Sequence, residues 1–278
     1  MRLTVLGSGS TGNAMLIVAG ETRVLVDAGM SAREIVRRLA LVGEDAARLD
    51  AVVVTHEHGD HVGGLRVLLQ SLACPVLMSE GTREAYVAER SRNLSKDEPR
   101  RRAEILRDRT EEITTSRDFR IGAIDFHPFT VPHDAADNFG FVATANGVRI
   151  AAVTDLGHMT TLVRERLRGC SCIVIESNHG RDMLKACAVY PWELKQRILS
   201  RTGHLSNEDI AEWLSDQGNG FDGSASTIIL THLSQRANNP YVAKLSAEMS
   251  LRERGPLFQP TTEIVISHPK EPTAWIEL

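Results

Sequence analysis

Apolar residues fall in short blocks separated by turn chemistry, a rhythm of strands with a few longer helical stretches. Residues 2–6, 14–19 and 23–27 read as three strands. Between the first two lies Gly7-Ser8-Gly9-Ser10-Thr11-Gly12-Asn13, a run of small turn-forming residues. A helix is predicted over 31–41 and a buried strand over 51–54, Ala-Val-Val-Val. Residues 65–72 then read as a helix and 75–78 as a strand. Strands resume at 118–129, and 140–145 with 148–153 make a hairpin over Asn146-Gly147. Further strands are expected at 170–175 and 226–230, with helices over 191–199 and up to about Leu214. The apolar patches at 264–266 and 275–276 are expected to close the second sheet, with a dimer contact as the other reading.

The stretch 82–109 differs. Arg83, Arg90, Arg92, Lys96, Arg100, Arg101, Arg102, Arg107 and Arg109 stand against Glu84, Glu89, Asp97, Glu98, Glu104 and Asp108. It reads as a charged helical insertion around 82–110, either a solvated face or an arm for a polyanion. Only Tyr86 is interleaved, so base stacking is not advertised there.

A length of 278 residues fits one domain over 1–278 with that insertion. The formal net charge of −4 argues mildly against a nucleic-acid-coating protein and leaves room for a local patch. The N-terminus reads directly as a strand, without a signal-peptide core, and no apolar run reaches membrane-spanning length. Cys74, Cys170, Cys172 and Cys187 show no disulfide or zinc-ribbon spacing, so a reduced, cytoplasmic setting is expected.

The chemistry concentrates at Thr55-His56-Glu57-His58-Gly59-Asp60-His61, directly after the Val run. In an extended segment residues two apart share a side, so His56 and His58 can converge on one ion. Asp60 and His61 follow Gly59, on a chain that has turned, and can face a second. Imidazole with carboxylate suits zinc, or manganese or iron where oxygen ligands dominate. Asp27 ends a strand and is either a cap for the helix that follows or a support beneath the metal site. The 7–13 turn is either a plain hairpin or a phosphate contact through Ser8, Ser10 and Asn13. Other strand ends deliver His133 (after Pro132), Asp155, Asn178 with His179, and His232, while His204 precedes Ser206 and Asn207 at a helix start. His127 lies within a strand and reads as a core or edge residue.

The H-x-H-x-D-H pattern after a strand resembles the metallo-β-lactamase superfamily, which implies a four-layer αββα sandwich of α/β class with a dinuclear centre at one edge. In that arrangement His56, His58 and His133 hold the first ion, Asp60, His61 and His232 the second, and Asp155 lies between. Two such ions about 3.5–4 Å apart would hold a water of near-neutral pKa and clamp a phosphodiester.

More particular stretches narrow the resemblance. The 7–13 turn, Asp27-Ala28-Gly29, Val131-Pro132-His133-Asp134-Ala135, Thr154-Asp155-Leu156-Gly157, Glu176-Ser177-Asn178-His179, Tyr190-Pro191-Trp192-Glu193-Leu194-Lys195, Gly203-His204-Leu205-Ser206-Asn207 and Thr231-His232-Leu233-Ser234 are similar to the YycJ/WalJ-like metallo-hydrolases. That likeness runs to about residue 240. It implies a metal-dependent exonuclease acting on DNA 5′ ends, with a role in repair and without the β-CASP insertion. By matching positions, His204, Ser206, Asn207, Asn178 and His179 would hold the scissile phosphate, with His204 ahead of His179 as the acid for the leaving oxygen. Gly180 stands where an acidic residue is expected, and the Arg-rich segment is longer than expected. Hydrolysis of a small cyclic phosphodiester or a thioester is the alternative function. A metal-binding regulatory protein without turnover is the more distant one.

Overall fold

A computed structural model describes residues 1–89, 95–254 and 261–278. Arg90 and Arg92 of the charged segment, and 255–260, lie outside the described residues. The strands are β1 (Arg2–Gly7), β2 (Ala14–Ala19), β3 (Thr22–Val26), β4 (Ala51–Val53), β5 (Val76–Met78), β6 (Thr110–Glu112), β7 (Phe119–Ile121), β8 (Ile124–Thr130), β9 (Phe139–Ala145), β10 (Val148–Val153), β11 (Cys172–Glu176), β12 (Thr227–Thr231), β13 (Glu263–Ile266) and β14 (Ile276–Glu277). Among the described residues they form two mixed seven-stranded sheets, ordered β14-β1-β2-β3-β4-β5-β6 and β13-β12-β11-β10-β9-β8-β7. Helices are α1 (Ala32–Leu41), α2 (Gly59–Val62), α3 (Leu65–Leu68), α4 (Glu80–Ala88), α5 (Glu98–Leu106), α6 (Thr161–Leu167), α7 (Arg181–Ala186), α8 (Trp192–Ile198), α9 (Asn207–Ser215) and α10 (Pro240–Arg252).

The chain divides into two compact units. The first comprises Met1–Pro128, Ala135–Phe139 and Pro269–Glu277, the second Phe129–Asp134, Gly140–His268 and Leu278. In the first unit β1, β2 and β3 form an antiparallel meander, and β4, β5 and β6 continue from β3 in parallel. Leu16, Leu25 and Val52 from the strands pack with Ile35 and Leu39 of α1, Leu65 and Leu68 of α3, and Tyr86 of α4. In the second unit β10, β11, β12 and β13 run parallel, and their Ile and Val side chains pack with Val163, Ile210, Trp213 and Leu251 from the helices. Strands buried on both faces are near-continuous apolar runs, which is why their periodicity is weak in the sequence. The Asn146-Gly147 turn has φ of 51° and 78°, the left-handed pair that a two-residue hairpin needs.

Three expectations change. Ser31, not Asp27, caps α1, accepting from Glu34 N. The helix expected over 65–72 stops at Leu68. The C-terminal patches part company: β13 extends the second sheet beside β12, while β14 pairs antiparallel with β1 in the first. Trp275 is held by its indole N–H on Val42 O (3.1 Å) and by Arg2 stacked 4.1 Å over the ring.

Part of the Arg-rich segment is neutralised from within. Arg100 pairs with Glu104 at 2.8 Å, and Arg83 lies 3.6 Å from Glu80. Buried Arg102 bonds Glu89 (2.8 Å) and Tyr86 O (2.6 Å), while Arg109 donates to the carbonyls of Leu69 and Leu72. Arg102 and Arg109 thereby tie α5 and the chain after it to their own unit.

Candidate metal centre

In the first unit β3 and β4 are parallel neighbours, so their C-terminal ends share one sheet edge, the usual place for a ligand. β3 delivers Asp27, which is buried and left-handed at φ 61°. Its carboxylate accepts from Thr55 N (2.9 Å), Thr55 Oγ1 (3.0 and 3.1 Å) and His61 Nδ1 (2.7 Å). β4 leads to His56, whose Nδ1 lies 3.0 Å from Thr55 Oγ1. The His56 ring is 4.8 Å from His58 and 4.1 Å from His61 between centroids. Asp60 and His61 stand on the short α2, with His61 Nε2 3.9 Å from Asp60 Oδ2.

The 7–13 turn braces this loop. Asn13 N donates to Asp60 O (2.7 Å), and Asn13 Nδ2 reaches Asp60 Oδ2 (3.2 Å) and His61 Nε2 (3.0 Å). Asn13 Oδ1 is fixed in turn by Ser8 Oγ (2.8 Å) and Gly9 N (2.9 Å). Gly29 lies so close behind that a Cβ there would meet Asp60 O at 1.6 Å.

The second unit repeats the logic. Parallel β10, β11 and β12 end together, at Asp155, Glu176 and His232. His204 comes from the turn before α9, and His133 follows β8. Glu176, fully buried, is the hub: Oε1 lies 2.7 Å from both His204 Nδ1 and His232 Nδ1, and Oε2 accepts from Leu156 N (2.9 Å) and Leu205 N (3.2 Å). Burial pushes this carboxyl up, but the two imidazoles prevail and hold it down to about 2. The same partnership raises His204 against the lowering effect of its own burial. Asp155 Oδ1 lies 3.1 Å from His232 Nδ1 and 3.8 Å from His133 Nε2. Ligand atoms of Asp155, Glu176, His204 and His232 all lie within 4.8 Å of one another. Asp155 and His232 are left-handed, at φ 54° and 55°, a conformation costing roughly 1–3 kcal/mol for such residues and typical of functional sites.

The residues expected at the substrate phosphate divide. Ser10 is exposed. Ser206 caps α9 in a reciprocal box with Asp209, and its N–H and hydroxyl both reach Asp209 Oδ2. Asn207 is buried in a network with Ser177 and Asn238, and Asn178 donates to His232 O at 2.9 Å. His179 is 1% exposed, and neither ring nitrogen has a hydrogen-bond partner among the described residues. Burial lowers its pKa to about 4. His127 stands at a half-exposed edge, 2.8 Å from Asp118. Glu176 is the residue that sequence reading passed over. Its signal was a carboxylate ending a Val/Ile strand, the same one that marked Asp27.

The donor set fits a divalent cation. His61, His133, His204 and His232 all engage protein oxygens through Nδ1, on Asp27, Gly203 O (3.1 Å) and Glu176, and His56 Nδ1 faces the Thr55 hydroxyl. That makes Nδ1 the anchored nitrogen and turns Nε2 towards a ligand, as in protein metal sites where oxygen holds the other ring nitrogen, although at His61 Nε2 is also met by Asn13 Nδ2 (3.0 Å).

A family model described as Beta-lactamase superfamily domain matches residues 22–233. The chain belongs to this superfamily, in the family of the YycJ and WalJ proteins, and is a metal-dependent hydrolase of the metallo-β-lactamase fold. It is 32% identical over 273 residues to the exodeoxyribonuclease YycJ of Bacillus anthracis, covering 98% of this chain and 97% of that one. Exodeoxyribonuclease WalJ of Streptococcus pneumoniae serotype 2 is 32% identical over 252 residues, 91% of this chain and 84% of that one. Among solved structures, zinc-bound PqqB from Methylobacterium extorquens shares the fold at TM-score 0.70 and 14% identity, covering 100% of both chains. The metallo-β-lactamase fold protein YhfI from Bacillus subtilis does so at 0.65 and 16%, covering 98% of both.

Proposed function

We propose that this chain is a dinuclear-metal phosphodiesterase that degrades DNA from a 5′ end. The observation that carries the reading is the full-length similarity to exodeoxyribonuclease YycJ. The ligand assignment is the one expected from the sequence: His56, His58 and His133 on one ion, Asp60, His61 and His232 on the other, Asp155 between, with zinc or manganese as the ions and iron as a third option. When bound, such ions supply an activated water and charge stabilisation at phosphorus.

The chain's own side chains orient and move protons around that chemistry. Asp27 and Glu176 hold His61, His204 and His232 in one tautomer. His204 protonates the leaving oxygen, since its pKa is raised by the Glu176 carboxylate against the lowering effect of burial, which favours the charged ring. His179, neutral by burial, is an acceptor or donor for the phosphate rather than a cation. Ser10, exposed on the 7–13 turn, contacts the substrate, with Ser8, Asn13, Asn178, Ser206 and Asn207 as the other substrate-binding candidates, each also holding its own loop. A cytoplasmic setting goes with four free, buried cysteines. Among the described residues, no helix is long and apolar enough to cross a membrane.

The test is cleavage of 5′-labelled and 3′-labelled single-stranded DNA with manganese or zinc, beside an Asp60→Ala/His61→Ala double variant. Loss of label from one end, absent in the variant, supports the reading and gives polarity. No cleavage by metal-loaded wild type removes DNA as substrate, and small cyclic phosphodiesters and thioesters become the substrates to assay.

A further inference from the structure

In a chain of net charge −4, residues 181–203 carry Arg181, Lys185, Lys195, Arg197 and Arg201 against only Asp182 and Glu193. Two of these cations are neutralised locally, Arg181 by Asp209 (2.5 Å) and Lys185 by Asp182 (3.3 Å). Lys195 and Arg201 are different. Among the described residues Lys195 bonds the carbonyl of Lys185 (2.7 Å) and Arg201 bonds the ring of His158 (2.8 Å), groups that bring no negative charge and leave both cations uncompensated. Arg197 is paired with Asp134, whose other oxygen lies 3.3 Å from His133 Nε2, so α8 abuts a candidate metal ligand.

On the same helix Trp192 is 62% exposed, whereas Trp213 is 1% exposed. Trp192 precedes Lys195 by three residues, which makes the two neighbours on one helix face. An apolar partner would leave Lys195 and Arg201 buried without counter-charges. A duplex would offer Trp192 no base face. A single strand supplies phosphates for the cations and a free base for the indole.

We propose that Trp192, Lys195, Arg197 and Arg201 form the track on which a single nucleic-acid strand runs from the candidate centre, a base stacked on Trp192 and phosphates on Lys195 and Arg201. The proposal rests on the nuclease reading and extends it to a strand-binding surface.

Binding of a cleavage-resistant phosphorothioate (dT)12 to the full metal-loaded chain tests it. Tryptophan emission is expected to be quenched on titration, and the quench to vanish in Trp192→Phe. Trp192→Ala should raise Kd about tenfold, with Phe recovering most of it, from the usual worth of one base stack. Lys195→Gln and Arg201→Gln should each reduce the slope of log Kd against log salt by about 0.7, one phosphate on a single strand. Wild-type affinity and quenching in the Trp192 variants overturn the track, and the nuclease reading stands if wild type still cuts the unmodified oligonucleotide. A wild type that neither binds nor cuts overturns both.

Discussion

Glu176 is a carboxylate with no exposed surface, answering to two histidines and two backbone amides at once. Glu176→Gln keeps the volume but replaces one acceptor oxygen by an N–H group, so His204 and His232 lose their common anchor. Divalent-metal affinity should fall about 10- to 100-fold, read by titration of the chelated protein, while the far-ultraviolet spectrum is unchanged. Affinity equal to wild type would remove Glu176 from the positioning role. Gly29 is a second sensitive point: Gly29→Ala thrusts a methyl into Asp60 O and must displace the loop. Metal retention should drop by a similar factor, and a variant that binds as wild type would show that the loop yields freely. Asp60 and its histidines are legible in the sequence because they are local. Glu176 shows only as a carboxylate ending a strand, and its role as a shared anchor depends on β11 and β12 lying in register, Glu176 opposite Thr231.

At the scale of elements, α4 and α5 show how misleading charge counts are. Nine basic residues between 83 and 109 suggest a polyanion arm, yet Arg102 is buried with its guanidinium carbon 4.2 Å over the Tyr86 ring. Composition records the charge and not the partner, since Arg102 meets Glu89 across the segment between the helices. Burial pushes the Tyr86 phenol up to about 12. The folded pKa then lies above the unfolded value of about 10, so its contribution is complete below pH 10 and lost as pH rises through 12. Unfolding by urea between pH 9 and 12 should show this loss, and Tyr86→Phe should flatten it. An equally steep fall in the variant would assign the effect to other groups. The α9 start was readable as a cap and as a phosphate site alike. Ser and Asn serve both ends, and the Asp209 contacts show that Ser206 does cap the helix.

At the scale of the whole chain, the first unit is assembled from distant segments. β14 returns to pair with β1, and Thr273 ties to Thr4 and Val5 through side-chain and backbone bonds. The apolar pair at 275–276 marks a sheet-closing segment but not which sheet it joins, because a two-residue strand has no periodicity to read. Trp275→Ala removes the Val42 bond and the Arg2 stack together. It should cost about 2 kcal/mol, less than a fully buried ring would, seen as a lower urea midpoint. An unchanged midpoint would mean that β14 contributes little to the first unit.

That return also sets a timetable for synthesis. β1 leaves the ribosome long before its partner, because the segment that covers its outer edge follows about 270 residues behind. At ordinary elongation rates that is a delay of roughly 15–50 s during which a nascent sheet carries an open flank. Such a flank is a template for pairing with other chains, so crowding of polysomes should lower the share of this protein that reaches its native form.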